Sequence, residues 1–372
     1  MKFTIKAKPF ADAVTAVGNV SERRNTIPIL SNMVVEAATG MVTLRATDLD
    51  LELTLTAPAD VTDPGVTTVP ARLLSDIARK FPGGSDIAFT MSDSQSVTVS
   101  SGRSRFGLHT LPVEDYPSFA AGDFANEFHL TGEALFSLFE QVQFAISTEE
   151  TRYYLNGIYL HTMDDGGRSV LRAVATDGHR LARGQVEAPS GSAGMKGIII
   201  PRKTVGEILK LAKAAGQGEV AVETSDTKIR LSFGGTVIAS KLIDGTFPDY
   251  ERVIPKANNR FAKVDSKTLS LAADRVATIS SERGKAVKMS IEPGQMKLVV
   301  NNPDSGDAEE MIDIDYDADP LEIGFNANYL KDVLAVMGPG ETTVNLEDAG
   351  SPALFTNEKA KDLLIVLMPM RV

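Results

Sequence analysis

The most enzyme-like fragment of the chain is the octapeptide ATDGHRLA at residues 175–182. It holds Asp177 and His179 two positions apart, and a carboxylate beside an imidazole is a pair that general acid–base catalysis uses. Residues two apart on an extended strand share one face, so this proximity needs no mechanism. Asp-Gly between strand-like segments is also a hairpin signal, in which Gly supplies a positive φ and Asp caps the turn. Because no nucleophile or oxyanion donor is apparent nearby, the turn is the preferred interpretation and an enzyme stays the alternative.

Other motifs of catalysis and cofactor binding are absent from the sequence. It has no Walker-type glycine loop ending in Lys-Ser or Lys-Thr, no G-x-G-x-x-G after a strand, no H-E-x-x-H and no G-x-S-x-G. The four histidines are scattered and there is no Cys, which argues against a metal cluster and excludes disulfides and thiolate chemistry. We therefore expect no cofactor and no catalytic activity.

Length and composition describe an ordinary globular protein with more than one domain. A chain of 372 residues argues for two or three domains, and 43% hydrophobic with 23% charged residues is typical of a folded chain. No stretch approaches the ~18 apolar residues of a membrane-spanning helix, and the start lacks a signal peptide, which favours the cytoplasm. The net charge of −11 does not exclude a nucleic-acid partner, because eight acids and no base lie between Asp304 and Asp319 and leave the remainder near neutral.

Three signals recur in the same order along the chain. A strand pattern running into an amphipathic helix opens at Phe3, Phe128 and Phe261, at intervals close to one third of the length. The segment VTLRATDLDLEL at 42–53 is echoed by LRAVATDGHRLA at 171–182 and more weakly by MKLVVNNPDSG. A second helix and alternating strand patterns follow each copy. The sequence predicts an α+β fold of three repeated domains, each with two helices and about eight strands in antiparallel sheets; coincidental similarity within a single α+β protein is the alternative.

Domain boundaries are expected near residues 118–126 and 255–259, which gives domains 1–125, 126–254 and 255–372. Repeats of this kind leave open sheet edges at both ends, which must be covered or paired. Two identical contacts, each between the first repeat of one chain and the third repeat of another, close a ring without free edges. The stretch SGRSRFGLHTLP at 101–112, with Phe106 among basic and polar residues, has the character of an edge strand in such a contact, although an aromatic residue in a strand is more often part of the core.

Two predicted helices carry a basic stripe at matching places in the first two repeats. The stripe consists of Arg72, Arg79, Lys80, Arg202, Lys203, Lys210 and Lys213. A solvated charged face is the ordinary interpretation of such a stripe, but its return in two repeats favours a common surface. If the helices of all repeats line a closed hole, these bases face a phosphate backbone and give salt-sensitive contact that is independent of sequence.

Six segments closely resemble the bacterial sliding clamp family, the beta subunit of DNA polymerase III. They are ERRNTIPIL (22–30), TRYYLNG (151–157), ATDGHRLA, DGTFPDYERVIP (244–255), GFNANYLKDVL (324–334) and VLMPMRV (366–372). The resemblance spans the whole chain and implies the DNA clamp fold. It further implies a homodimeric six-domain ring that encircles duplex DNA, is placed there by a clamp loader and tethers the replicative polymerase alpha subunit and other proteins with a clamp-binding motif.

The resemblance also implies a pocket for partner peptides. Its residues are Leu155, Thr176, Gly178, His179, Arg180, Leu181, Pro248, Arg252, Val253, Tyr329, Val366, Leu367, Met368, Pro369, Met370 and Arg371. Leu, Val and Met suit an adaptable apolar groove for the anchors of an extended peptide, while His and Arg at its rim hold polar groups.

Two further contacts come from the same resemblance. DNA contacts map to Arg24, Arg152, Tyr153 and Tyr154, and an adjacent Tyr pair offers hydroxyls to phosphate and rings to exposed bases. The subunit contact maps to Arg103, Arg105 and Phe106 of the first repeat, meeting Ile279 of the third. The leading hypothesis is therefore a non-enzymatic processivity clamp. An enzyme acting at Asp177 and His179, or a scaffold that never encircles DNA, are the alternatives.

Overall fold

The computed structural model describes residues 1–21, 26–93, 95–119, 122–280 and 286–371. It contains six α-helices: α1 (Ala7–Gly18), α2 (Ala71–Ala78), α3 (Gly132–Gln143), α4 (Arg202–Ala215), α5 (Ser266–Val276) and α6 (Ala327–Met337). Within these described ranges, no helix is both long and apolar enough to cross a membrane. Short 3-10 helices cover Pro28–Ser31, Val113–Asp115, Glu150–Leu155, Tyr250–Arg252 and Ala277–Ile279.

The strands follow in three series. The first is β1 (Lys2–Lys6), β2 (Asn32–Ala38), β3 (Met41–Thr47), β4 (Leu51–Pro58), β5 (Asp60–Asp63), β6 (Gly65–Pro70), β7 (Asp86–Asp93), β8 (Ser96–Ser101) and β9 (Ser104–His109). The second is β10 (Asn126–Thr131), β11 (Gly157–Asp165), β12 (Arg168–Thr176), β13 (Arg180–Glu187), β14 (Ile198–Pro201), β15 (Glu219–Thr224), β16 (Lys228–Phe233) and β17 (Thr236–Lys241). The third is β18 (Arg260–Asp265), β19 (Ala286–Glu292), β20 (Gln295–Asn302), β21 (Gly306–Asp313), β22 (Leu321–Asn326), β23 (Glu341–Leu346), β24 (Ala353–Thr356) and β25 (Leu363–Leu367).

The predicted three-fold repeat is confirmed by the order of these elements. Each series runs strand, helix, several strands, helix and three strands, and the second and third series agree element for element. The first series differs by one short additional strand, β5. The pairings between the named strands are antiparallel, as the alternating apolar pattern predicts.

The chain divides into two compact units that do not follow the repeats. One comprises residues 1–133 and 210–242, and the other comprises residues 134–209 and 243–372. The first unit holds the sheets β5-β1-β7-β8-β9 and β10-β15-β16-β17-β4-β3-β2-β6. The second unit holds β14-β11-β12-β13-β25-β24-β23-β18 and β21-β20-β19-β22. Each eight-stranded sheet thus joins strands of two successive repeats, and the boundaries at 125 and 254 stay a prediction.

Each repeat buries one face of its helices against its sheets. In the first repeat, β1 buries Phe3 and Ile5 on alternate positions, and α1 buries Phe10 and Val14 four residues apart. Phe3 stacks on Phe89 of β7 with ring centroids 4.8 Å apart and meets Phe10 edge-on at 6.2 Å. Aromatic packing of this kind fixes the helix on the sheet.

The helix α2 is shorter than the basic stripe requires. It ends at Ala78, so Arg79 is its C-terminal cap and Lys80 lies beyond the last turn. Pro82 follows two residues later and disfavours helical geometry at Phe81, which explains the early stop. Arg72, Arg79 and Lys80 are all exposed, and the Arg79 N–H still donates to the Ser75 carbonyl at 3.1 Å, so Lys80 is the one of the three that lies beyond the helix.

Candidate functional site

The turn between β12 and β13 is built by its own side chains. The Thr176 hydroxyl donates to the Arg180 carbonyl at 2.8 Å and accepts from the Gly178 N–H at 3.1 Å. The Asp177 carboxylate accepts from the N–H groups of His179 and Arg180 at 2.9 and 3.0 Å. Gly178 has φ +88°, a conformation that glycine adopts readily. This is the capped turn that the sequence predicts.

The same turn occurs in the first repeat, between β3 and β4. Thr47 donates to the Leu51 carbonyl at 2.9 Å, and Asp48 accepts from the Leu51 N–H at 2.7 Å. Leu49 stands where the second repeat has glycine and has φ +83°. Since the two turns share their hydrogen bonds, Asp177 needs no catalytic role to explain its position.

The central apolar cluster of the candidate pocket joins segments that are far apart in sequence. Leu155, Leu181 and Val366 are at most 4% exposed and belong to one buried cluster. Leu181 and Val366 face each other across the β13–β25 pairing. Four members of this cluster were missed by the sequence analysis: Val174, Ile199, Phe247 and Tyr250. Phe247 and Tyr250 lie within the DGTFPDYERVIP motif, so the sequence could have identified them as part of the pocket from their place in that motif.

Exposed residues border this cluster. The segment 244–255 buries Phe247 and Tyr250 and exposes Pro248, Arg252 and Val253. Arg252 is paired with Asp249, with Nε and Oδ2 2.7 Å apart. Directly after β25, Met368 is 36% exposed, and its N–H donates to the His179 carbonyl at 2.8 Å. Leu367, in contrast, is fully buried.

Arg180 and Tyr329 form the polar part of the candidate pocket. The cap that starts α6 places Tyr329, because the Asn326 side chain accepts from the N–H groups of Asn328 and Tyr329. The Arg180 guanidinium lies 4.4 Å from the centre of the Tyr329 ring and pairs with Asp332 at 2.6 Å. The His179 ring is stacked on the Tyr329 ring with centroids 6.0 Å apart.

The residues Pro369, Met370 and Arg371 lie beside β19 and β22 and not beside the apolar cluster. The Met370 N–H donates to the Gly324 carbonyl at 2.8 Å. Pro369, Met370 and Arg371 line a groove with Lys288 and Glu322, whose Nζ and Oε1 are 2.8 Å apart. The sequence resemblance assigns these three tail residues to the same pocket as Leu155 and Val366, and the structure places them beside β19 and β22.

Arg152 connects the segment TRYYLNG to the turn at Gly178. Its guanidinium donates to the Asp177 carbonyl at 2.9 Å and to the Glu149 carboxylate at 2.8 Å. The Glu149 carboxylate has a lowered pKa because of this hydrogen bond. A Cβ atom added at Gly178 would collide with the Arg152 guanidinium. Arg152 therefore already has a carboxylate partner in the absence of DNA.

We expect Gly178→Ala to lower the thermal unfolding midpoint by several degrees. A non-glycine residue at this φ costs about 1–3 kcal/mol, and about 2–4 °C of midpoint per kcal/mol is typical of domains of this size. The Cβ also displaces Arg152. Gly166→Ala is the matched control, since Gly166 has φ +64° and open space around its Cβ position. Equal shifts for the two variants, measured by calorimetry, would contradict the contact with Arg152.

The other predicted DNA residues are placed as follows. Tyr153 is 54% exposed and meets the half-buried Tyr154 edge-on at 5.8 Å. Arg79 is paired with Asp76. On α4, Arg202, Lys203 and Lys210 are exposed. Arg24 lies outside the described residues.

The first-repeat side of the predicted subunit contact falls on an edge strand, and Ile279 of the third repeat ends a 3-10 helix. β9 is the outer strand of its five-stranded sheet, and Arg103, Arg105 and Phe106 at this edge are exposed. Phe106 meets Phe81 edge-on at 5.8 Å. Ile279 is half-buried, and its carbonyl accepts from the Asn302 side chain at 2.6 Å. The acid-rich β21 is the outer strand of the four-stranded sheet.

Across the part of the chain that the structure describes, no group of three or more His, Asp or Glu side chains is arranged to hold a metal ion. The site consists of apolar residues, aromatic rings and paired charges. Such an arrangement suits recognition of a peptide or a polyanion.

Comparison with known proteins gives the family. The model of the DNA polymerase III beta subunit N-terminal domain matches residues 1–120, its central domain matches 129–249, and its C-terminal domain matches 251–371. The chain is 43% identical to the beta sliding clamp of Caulobacter vibrioides and 36% identical to that of Escherichia coli, each over the full length of both chains. A solved sliding clamp from Bartonella birtlesii superimposes with a TM-score of 0.97 at 50% identity, covering both chains completely. The chain belongs to the DNA polymerase III beta subunit family, the bacterial beta sliding clamps.

Proposed function

We propose that this protein is the processivity clamp of DNA polymerase III, a homodimeric ring that encircles and slides on duplex DNA. The observation that carries the proposal is the match of three successive family domains along the whole chain. As a beta sliding clamp it is an accessory subunit and not an enzyme. Its partners are duplex DNA, a second copy of itself, the clamp loader and the polymerase alpha subunit, and we place its work in the cytoplasm. We also propose the domain limits 1–125, 126–254 and 255–372.

We further propose that partner peptides bind over the apolar cluster around Leu155, Leu181 and Val366. The exposed Val253, Pro248 and Met368 next to this cluster offer apolar surface to aliphatic and aromatic anchors. The rim residues Arg180 and His179 support polar contacts to the peptide. The tail residues Pro369 to Arg371 extend the site beyond the cluster.

DNA contact is proposed to be weak and independent of sequence. Arg152 and Arg79 already have carboxylate partners, so their net attraction for phosphate is reduced. The exposed basic side chains of α4 and the exposed Tyr153 also contact DNA. Weak contacts permit sliding, whereas strong ones would hold the ring in place.

Truncating two tail side chains tests the peptide site. The double substitution Met370→Ala with Arg371→Ala keeps the backbone bond to Gly324, and we expect it to weaken peptide binding about tenfold or more. The probe is a fluorescein-labelled peptide carrying the clamp-binding motif of the polymerase alpha subunit. Met41→Ala, which removes a methionine 36% exposed in the other unit, is the control. Unchanged affinity in calorimetry, with the dimer intact, would remove the tail from the site.

A further inference from the structure

Arg172 is a charged residue in a place where charge is costly. It lies in the middle of β12 and is 1% exposed, between Leu171 and Ala173, which are fully buried. An arginine taken out of water is tolerated only where other groups satisfy its charge and its donors. No part of the peptide or DNA site proposed above uses it.

Five side chains contact the Arg172 guanidinium, and one of them is Met163, whose sulfur lies 2.7 Å from Nη1. Its Nη1 lies 2.5 Å from the Glu251 carboxylate and 3.3 Å from the Tyr250 hydroxyl. Its Nη2 lies 3.1 Å from Asp165, and its Nε donates to the Gln185 side chain at 2.6 Å. Burial raises the pKa of Tyr250 to about 12, so this hydroxyl stays protonated at neutral pH. One buried cation thus contacts two residues of β11, one of β13 and two of the segment 244–255.

A second set of hydrogen bonds leads from Gln185 to the start of β25, the strand that contains Val366. The Gln185 amide donates to Asp165 at 2.9 Å and to Asp362 at 3.1 Å. Asp362 immediately precedes β25, and it also accepts from Arg168 at 2.5 Å. Because β25 ends at Leu367 and Met368 follows it directly, these hydrogen bonds link the arginine to both sides of the candidate pocket.

Of the two sides of the candidate pocket, the segment 244–255 has the direct contacts with Arg172. It belongs to no strand, so side chains must fix much of its position. Phe247 stacks on Tyr159 with ring centroids 4.8 Å apart, and Tyr250 is buried in the pocket cluster. Glu251 stands between Tyr250 and Arg252 in the 3-10 helix, so a shift of Glu251 moves the exposed Arg252 and Val253.

We propose that Arg172 is a positioning residue for the peptide pocket, holding segment 247–253 through Glu251 and Tyr250 and the start of β25 through Gln185 and Asp362. The proposal rests on the peptide site proposed above. Arg172 itself is buried behind that site and acts through these neighbours. Loss of its forked contacts leaves Glu251 and Asp165 without their shared cation and releases the segment.

Arg172→Lys tests the proposal, because lysine keeps the charge and loses the fork of donors. With the fluorescein-labelled clamp-motif peptide as probe, we expect affinity to fall about tenfold, within the range seen for residues that act through others. Hydrogen exchange of the amides in 247–253 should accelerate, while exchange in β19 and β20 stays unchanged. Both readouts are taken well below the unfolding temperature, and unchanged exchange in β19 and β20 separates a local release of 247–253 from a general loss of stability.

Glu251→Gln keeps the experiment decisive if Arg172→Lys does not fold. Its side chain is 43% exposed, so the substitution is tolerable, and it removes the charge that Arg172 meets. Glu223→Gln, which breaks the ion pair with Arg230 in the other unit, is the matched control. Unchanged peptide affinity in Glu251→Gln overturns the proposal, whether or not exchange accelerates. Failure of the wild-type protein to bind the peptide instead counts against the peptide site.

Discussion

Two copies of the protein, closed by the clamp loader around a nicked circular DNA, should stay on that DNA through a wash at about 1 M salt. At this ionic strength the Debye length is about 3 Å, so contacts between exposed bases and phosphates are screened. A protein held by six to ten phosphate contacts loses about 10³–10⁵ in affinity already between 50 and 200 mM salt. The pairing of Arg152 with Glu149 and of Arg79 with Asp76 weakens adhesion further. Electrostatic contacts do not survive such a wash, whereas a topological link does.

Cutting the circle should then release the protein. The amount that co-migrates with DNA in gel filtration, before and after a restriction enzyme linearises the circle, measures this directly. Linear DNA with both ends blocked by bound protein is the control, and it should retain the ring. Loss of the protein from intact circles during the wash would mean that it adheres electrostatically. Equal retention on open linear DNA would favour the scaffold that never encircles DNA.

The repeat could be predicted from sequence because its signals are local. Phe3, Phe128 and Phe261 open the same strand–helix pattern, and Thr47 and Thr176 form turns with the same hydrogen bonds. Local signals of this kind depend on side chains within a few residues of one another. The segments of the pocket were found by family resemblance, and three of the assigned residues, Leu155, Leu181 and Val366, do meet in one cluster.

The parts of the fold and of the site that could not be predicted depend on contacts between segments that are distant in sequence. Nothing in the sequence marks Arg172 as buried, because some of its partners, such as Glu251, lie far along the chain. The division of the chain also depends on long-range pairing, since β4 joins β17 and β13 joins β25 across repeats. The basic stripe was predicted on one helix face, but α2 ends at Ala78 with Arg79 as its cap, so Lys80 lies beyond the helix.

Phe106→Ala should convert much of the dimer to monomer at low concentration. Phe106 is 38% exposed on an edge strand and stands between basic and polar residues, so a second chain would bury it. Aromatic anchors at subunit contacts are worth about 2 kcal/mol or more, which corresponds to about a thirtyfold rise in the dissociation constant. Sedimentation velocity over a dilution series gives the constant. The charged neighbours Arg103 and Arg105 remain, so the encounter of the two chains is preserved while the complex dissociates faster.

Phe261→Ala is the matched control for this experiment. Phe261 is 51% exposed on β18, the outer strand of the eight-stranded sheet in the second unit, and no subunit contact is assigned to it. Loss of the edge-on contact between Phe106 and Phe81 also costs stability within one chain, and the unfolding midpoint measures that part separately. A dissociation constant that changes equally in both variants would mean that β9 is not the contact. A selective change for Phe106 would also predict faster escape of the variant from circular DNA, because a ring opens where its subunits separate.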